Sequence, residues 1–154
     1  MIVAGPTNIH ASAIVVDGIG LAIVGPSGSG KSALAFDCLS EAKLLGLPAA
    51  LISDDRLLVF KDGSTVIGRA PDTMRGMIEL RYSGIIKVAH IETAPLHLVA
   101  TTVASNEVER LAPENEHYSL TADTALPLVR VPSWTRFPLS LILAFNRQSA
   151  DSAI

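Results

Sequence analysis

The chain has 154 residues, with 12 Lys or Arg against 15 Asp or Glu and a formal net charge of -3; this length suits a single domain, and the slight acid excess argues against a binder of nucleic-acid backbones. Hydrophobic residues at 49% and charged residues at 18% provide for a closed core and exclude global disorder. One cysteine, Cys38, excludes an intrachain disulfide framework and any multi-cysteine metal site.

The first residues, Met1 to Pro6, lack the basic and apolar regions of a secretory signal, and the longest strongly apolar run, Pro138 to Phe145, is too short to cross a bilayer. A soluble, cytoplasmic protein with no membrane partner is expected. Gly18 to Val24 is apolar and rich in branched residues, which predicts a buried strand running into the glycine-rich stretch that follows. Lys31 to Leu45 carries Leu34, Cys38 and Ala42 four apart on one face, and Gly46 with Pro48 supplies a stop, so a helix is predicted there. Ala49 to Ser53 reads as a second buried strand, giving a βαβ order.

Beyond Asp54 and Asp55 the pattern changes. Leu57 to Phe60 and Thr65 to Ala70 flank Lys61-Asp62-Gly63 as an antiparallel hairpin. Met77 to Leu80, Gly84 to Val88, Pro95 to Val103 and Leu126 to Val131 have strand composition, and a short polar helix is predicted around Glu107 to Leu111. The end is predicted helical, with Ser133 as N-cap, Pro138 in the first turn, and Leu139, Ile142, Leu143 and Phe145 packing on a sheet. The fold class expected is α/β, a phosphate-loop-containing mixed sheet with few helices in one domain over residues 1–154.

Chemistry concentrates in Gly25-Pro26-Ser27-Gly28-Ser29-Gly30-Lys31-Ser32, a full match to G-x-x-x-x-G-K-[ST] set between a strand and a helix. The glycines let successive backbone N–H groups and the helix N-terminus converge on one anion, Lys31 reaches the terminal phosphates, and Ser32 would ligate Mg2+. Asp54 and Asp55 end the second strand, where one carboxylate would approach the metal and the other would accept a proton; a solvated strand end is the plainer alternative. His10 precedes a strand and has no support from spacing alone. Glu79 and Arg81 share a strand face, either as a structural ion pair or as groups facing phosphate and metal. Arg130 and Arg136 are either surface charges or phosphoryl contacts. His90, His97 and His117 are too scattered for a metal set.

The phosphate loop, Leu51-Ile52-Ser53-Asp54-Asp55 and Ile78-Glu79-Leu80-Arg81-Tyr82-Ser83-Gly84-Ile85-Ile86 together resemble the catalytic domain of the HPr kinase/phosphorylase family. The resemblance runs from His10 to the terminal helix. It implies a phosphoenolpyruvate-carboxykinase-like nucleotide-binding core, a homo-oligomer that is commonly hexameric, and transfer of a phosphoryl group from ATP or pyrophosphate to a seryl hydroxyl of the phosphocarrier HPr, with reversal by phosphate giving pyrophosphate. By motif it implies that Lys31 and Ser32 bind phosphate and Mg2+, that Asp54 is the general base, and that Asp55 and Glu79 lie at the metal. It further implies that His10 organises the active-site acid and that Arg136 matches a late family arginine. The chain departs from the family in reading Tyr82-Ser83 where Glu-x-Arg is normally followed by Gly, in lacking a glycine at Ser133 to Arg136, and in its expected short form without an amino-terminal domain. The alternatives outside the family are a phosphate-loop kinase of small molecules and a non-catalytic ATP-sensing module.

Overall fold

A computed structural model describes residues 5–73, 75–104 and 110–152. In chain order the elements are β1 (Thr7–Ile9), β2 (Ala11–Val16), β3 (Ile19–Val24), α1 (Lys31–Leu44), β4 (Ala49–Ser53), β5 (Leu57–Asp62), β6 (Thr65–Arg69), β7 (Met77–Leu80), β8 (Gly84–Lys87), β9 (Thr93–Pro95), β10 (Leu98–Val103), β11 (His117–Thr121), β12 (Thr124–Pro132) and α2 (Pro138–Ser152). A six-stranded sheet in the order β11-β12-β10-β3-β2-β4 forms the middle layer. It is mixed: β10 runs parallel to β3 and β12, while β2 is antiparallel to β3 and β4. An antiparallel sheet, β1-β5-β6-β9, covers one side, and β7-β8 stands apart as a hairpin.

Strand periodicity divides the apolar residues between two cores. Ile14, Val16, Leu21, Ile23 and Leu51 face the helices, where they meet Leu34, Cys38, Leu139 and Ile142. Ala11, Ala13, Ala22, Val24 and Ile52 face the outer sheet, where they meet Leu57, Val59, Leu96 and Val99. Small side chains on that inner face let the two sheets approach. Gly20 is the extreme case, since a Cβ there would fall 1.8 Å from the Pro95 carbonyl oxygen.

The predicted βαβ order is present, but β2 lies between β3 and β4 and pairs antiparallel with both. The segment predicted as one strand over Pro95 to Val103 is broken. Thr93–Pro95 joins the outer sheet and Leu98–Val103 the inner one, because buried Leu96 turns into the space between them. The 57–70 hairpin turns at Gly63 and Ser64 rather than at Lys61, with Asp62 paired to Thr65. Residues 107–109 of the predicted short helix lie outside the described residues, and Arg110 and Leu111 are not helical.

The last helix begins at Pro138, five residues after the predicted cap Ser133. Its amino end is closed from outside. Glu41 of α1, 7% exposed, accepts from the Leu139 N–H at 3.0 Å, the Ser140 N–H at 2.9 Å and the Ser140 hydroxyl at 2.5 Å. A carboxylate on the first N–H groups of a helix satisfies orphan donors and meets the positive end of its dipole. Glu41→Ala strands those donors, and charge-assisted bonds of this kind set a destabilisation of about 3 kcal/mol. Urea denaturation should read that loss, and a change below about 0.5 kcal/mol would contradict the capping role.

Candidate active site

The β3 strand delivers the chain into the loop at residues 25–30. Gly25, Gly28 and Gly30 have φ of 150°, 81° and 94°, values at which a side chain is strained, so the loop curls as only this glycine spacing allows. At Gly25 an added Cβ would also lie 2.6 Å from the Ser29 Oγ. The loop is closed by the Ser29 N–H on the Pro26 carbonyl at 3.1 Å and anchored to β10 by the Thr102 hydroxyl on the Ser29 carbonyl at 2.8 Å. Lys31 is buried, its Nζ donating to the carbonyls of Gly25 at 3.0 Å and Pro26 at 3.1 Å. The N-cap, Gly30, has no side chain and the first turn of α1 has no acid, so the positive helix end is open to an anion.

Asp54, at the tip of β4, is the hub. Its Oδ1 accepts from the Ser32 hydroxyl at 2.6 Å and the Ser12 hydroxyl at 2.9 Å, and its Oδ2 from the Glu79 N–H at 3.1 Å. One carboxylate therefore joins β2, α1, β4 and β7. Asp54 is 3% exposed, and it faces inward. Asp55 is exposed and sits at a left-handed φ of 67°, with its N–H held by the Ser12 hydroxyl at 3.1 Å.

A cavity of about 850 Å³ opens between three elements: the loop at Ser27, Gly28, Gly30, Lys31 and Ser32; α1 at Ala33, Phe36 and Asp37; and the β7–β8 hairpin at Glu79, Leu80, Arg81, Tyr82 and Gly84. Arg81 lies past the end of β7, in the turn, rather than on the strand face with Glu79. Both nevertheless border the cavity, and an Arg81 Nη stands 3.5 Å from where a Gly28 Cβ would be. No ion pair joins Glu79 and Arg81 among the described residues. Burial first, then the charge of Glu41, raises the Asp37 carboxyl above the usual range.

The other sequence candidates lie outside the cavity wall. His10 is exposed just before β2, one residue beyond the Ala11–Val24 pair and so level with Gly25 in the sheet register. Arg136 is exposed in the turn before α2. Arg130 forms a two-pronged pair with Glu116, both contacts at 2.7 Å, which holds Glu116 below the usual carboxylate range. His97 accepts the Gly20 N–H on Nδ1 at 2.9 Å, and the His117 Nδ1 lies 2.8 Å from the Asn115 carbonyl, so both serve local structure. Ser12, Asp37 and Thr102 are site residues that sequence reasoning missed. A lone serine in an apolar strand was the available signal for the first.

The donor set fits a hard divalent ion. A hydroxyl and carboxylate oxygens converge at Ser32 and Asp54, with Glu79 adjoining, and Mg2+ prefers few protein oxygens completed by phosphates and water. Among the described residues there is no cluster of three or more His, Cys, Asp or Glu that could hold a metal ion.

A curled phosphate loop between a strand and a helix, on a mixed sheet, defines an α/β phosphate-loop domain. A family model described as the HPr Serine kinase C-terminal domain matches residues 2–142. The chain belongs to that family. The HPr kinase/phosphorylase of Lactobacillus johnsonii is 38% identical over 85 residues, covering 54% of this chain and 25% of that protein. The Latilactobacillus sakei subsp. sakei enzyme of the same name is 28% identical over 147 residues, covering 88% of this chain and 45% of that protein. The chain thus matches less than half the length of these curated relatives. The structure of the HPr(Ser) kinase/phosphatase from Coxiella burnetii aligns with a TM-score of 0.75 at 22% identity, covering 95% of this chain and 99% of that one. The shared fold is the phosphoenolpyruvate-carboxykinase-like nucleotide-binding core. Among the described residues no helix is long and apolar enough to cross a membrane.

Cys38 is no nucleophile. It is fully buried on α1, and burial, then Glu41 and Asp37, push its thiol up to about 12. Because the folded value lies above the ordinary 9.0, this thiol favours the folded state below pH 9, and that support is lost as pH rises through about 12. At pH 8 the native protein should resist Ellman's reagent while the urea-unfolded chain reacts within minutes; rapid labelling of the native protein would contradict the burial.

Proposed function

We propose that the chain is a phosphotransferase that moves the terminal phosphoryl group of ATP to a seryl hydroxyl of an HPr-like phosphocarrier protein, with pyrophosphate as a second donor and phosphorolysis as the reverse reaction. The single observation that carries this reading is the phosphate loop joined to a strand-tip carboxylate through Ser32 and Asp54, at 2.6 Å, in a chain of this family. In this reading the amides of residues 25–32 and the Lys31 ammonium hold the β- and γ-phosphates, and Ser32, Asp54 and Glu79 hold Mg2+. When bound, the ion draws off charge that develops on the transferring phosphoryl oxygens.

The geometry supports a different division of the two aspartates from the one motif matching suggests. Asp54 is 3% exposed with both oxygens already accepting protein donors, which suits fixing Ser32 and the metal side. A hydroxyl carried on a folded protein reaches an exposed carboxylate more readily than a buried one. Asp55, exposed and held by its own N–H on Ser12, is therefore assigned as the group that accepts the seryl proton. As the seryl oxygen bonds to the γ-phosphorus, the bond to the bridging oxygen breaks and ADP leaves; in reverse, Asp55 returns the proton to the serine. Arg81, at Gly28, is assigned to the phosphoryl oxygens. His10, level with Gly25 beside the Asp55 strand end, is assigned to orienting that acid, and Arg136, which follows β12 at the same end of the sheet, to the acceptor side. A hexameric assembly and a cytoplasmic setting complete the proposal, the first tested by light-scattering mass.

Phosphorylation of HPr with labelled ATP and Mg2+ tests the reading. Asp55→Asn should lower the transfer rate by about 10²- to 10⁴-fold, the usual worth of a positioned base, and leave ATP affinity within about twofold. Asp54→Asn should weaken Mg2+-dependent ATP binding by roughly tenfold, as for loss of a group that orients a ligand. The opposite pattern would return the base to Asp54. Lys31→Ala should weaken ATP binding by roughly tenfold or more, as expected for removal of a charged phosphate contact; unchanged affinity would remove the loop from the account.

A further inference from the structure

We propose that Tyr82 is a docking residue for the acceptor protein, a phenol ring held at the mouth of the phosphate cavity by a strained turn; this rests on the acceptor being a protein, as read above. Three observations meet at this residue. Tyr82 has a φ of 72°, in the left-handed region that residues with a Cβ occupy only at a cost and that persists chiefly where the surrounding site uses it. Its side chain is 100% exposed, so no internal packing compensates for that backbone. It nevertheless borders the cavity, between Arg81 and Gly84.

The place of Tyr82 beside the phosphate loop follows from its neighbours. Arg81 reaches Gly28, in the part of the loop just before Lys31, where the terminal phosphates of a bound nucleotide are cradled. Tyr82 follows Arg81 in the same turn and borders the same cavity. Ile85 on the same hairpin is 69% exposed, so the hairpin carries a second exposed apolar side chain. Tyrosine in such a position supplies a large contact area with few rotamers to freeze, as in the centres of protein interfaces.

The experiment measures steady-state HPr phosphorylation for the full chain and for Tyr82→Gly and Tyr82→Phe. Glycine is the residue the turn accepts most easily, so Tyr82→Gly should fold and melt at the same temperature or higher. Its KM for HPr should rise about tenfold while kcat and KM for ATP stay within about twofold, and Tyr82→Phe, which keeps the ring, should recover most of the loss. If the KM for HPr stays within twofold of wild type in Tyr82→Gly, the docking role is overturned and the functional reading stands. If KM for ATP rises instead, the ring belongs to the nucleotide and the docking role is again overturned. Wild-type protein that binds ATP but leaves HPr unmodified overturns the functional reading and this inference with it.

Discussion

The short hydrogen bond between the Ser32 hydroxyl and the Asp54 carboxylate, 2.6 Å long, ties the amino end of α1 to the tip of β4. Because the loop precedes Ser32 directly, fixing that hydroxyl fixes where the curled backbone and Lys31 point. Because the second Asp54 oxygen takes the Glu79 N–H, the same carboxylate also seats the hairpin that forms the opposite wall. A buried carboxylate is tolerable only with donors on it, and here three of them, from β2, α1 and β7, supply that condition while defining the cavity.

The layers explain why these parts can be held so closely. The inner sheet presents Ser12, Ile14 and Val16 on one face of β2, with the polar member at the loop end and the apolar pair under the helices. The alternation that builds the core therefore also aims a hydroxyl at Asp54. On the far side the small residues Ala11, Ala13, Gly20 and Ala22 allow the outer sheet to press against the inner one, which braces the strand ends that carry the site. Glu41 does comparable work between the helices: it sits on α1's buried face and closes α2, so the last element of the chain is locked to the helix that begins at the phosphate loop.

Much of this was legible in the sequence because the informative segments are apolar, long or both. The strand at 19–24, the helix at 31–44 and the strand at 49–53 carry strong periodic signals bounded by glycine and proline, and the loop between the first two is a motif with its own mechanics. The misses have physical causes. The strands at 7–9 and 117–121 are short and mostly exposed, so they lack the alternation that marks a half-buried strand. The break at Leu96 is a change of sheet within one apolar run, and local composition cannot register it. Strand periodicity extended from Glu79 to Arg81 fails because the chain turns at Tyr82, a residue whose left-handed backbone propensity alone disfavours. The insertion of β2 between β3 and β4 is a tertiary choice that the order of elements does not encode. Two adjacent acids look alike in sequence, and only burial separates Asp54, turned inward, from Asp55, turned out.

In the proposed function the loop at 25–32 grips a polyphosphate whose terminal group lies next to Ser32 and Asp54. A crystal structure of the chain with Mg2+ and a non-hydrolysable ATP analogue tests it most directly. The β- and γ-phosphates should lie against the backbone amides of residues 28–32, with the Lys31 Nζ on phosphate oxygen and the ion on the Ser32 hydroxyl. A nucleotide seated elsewhere, or phosphates in the loop with the terminal phosphorus pointing away from the two aspartates, would contradict it.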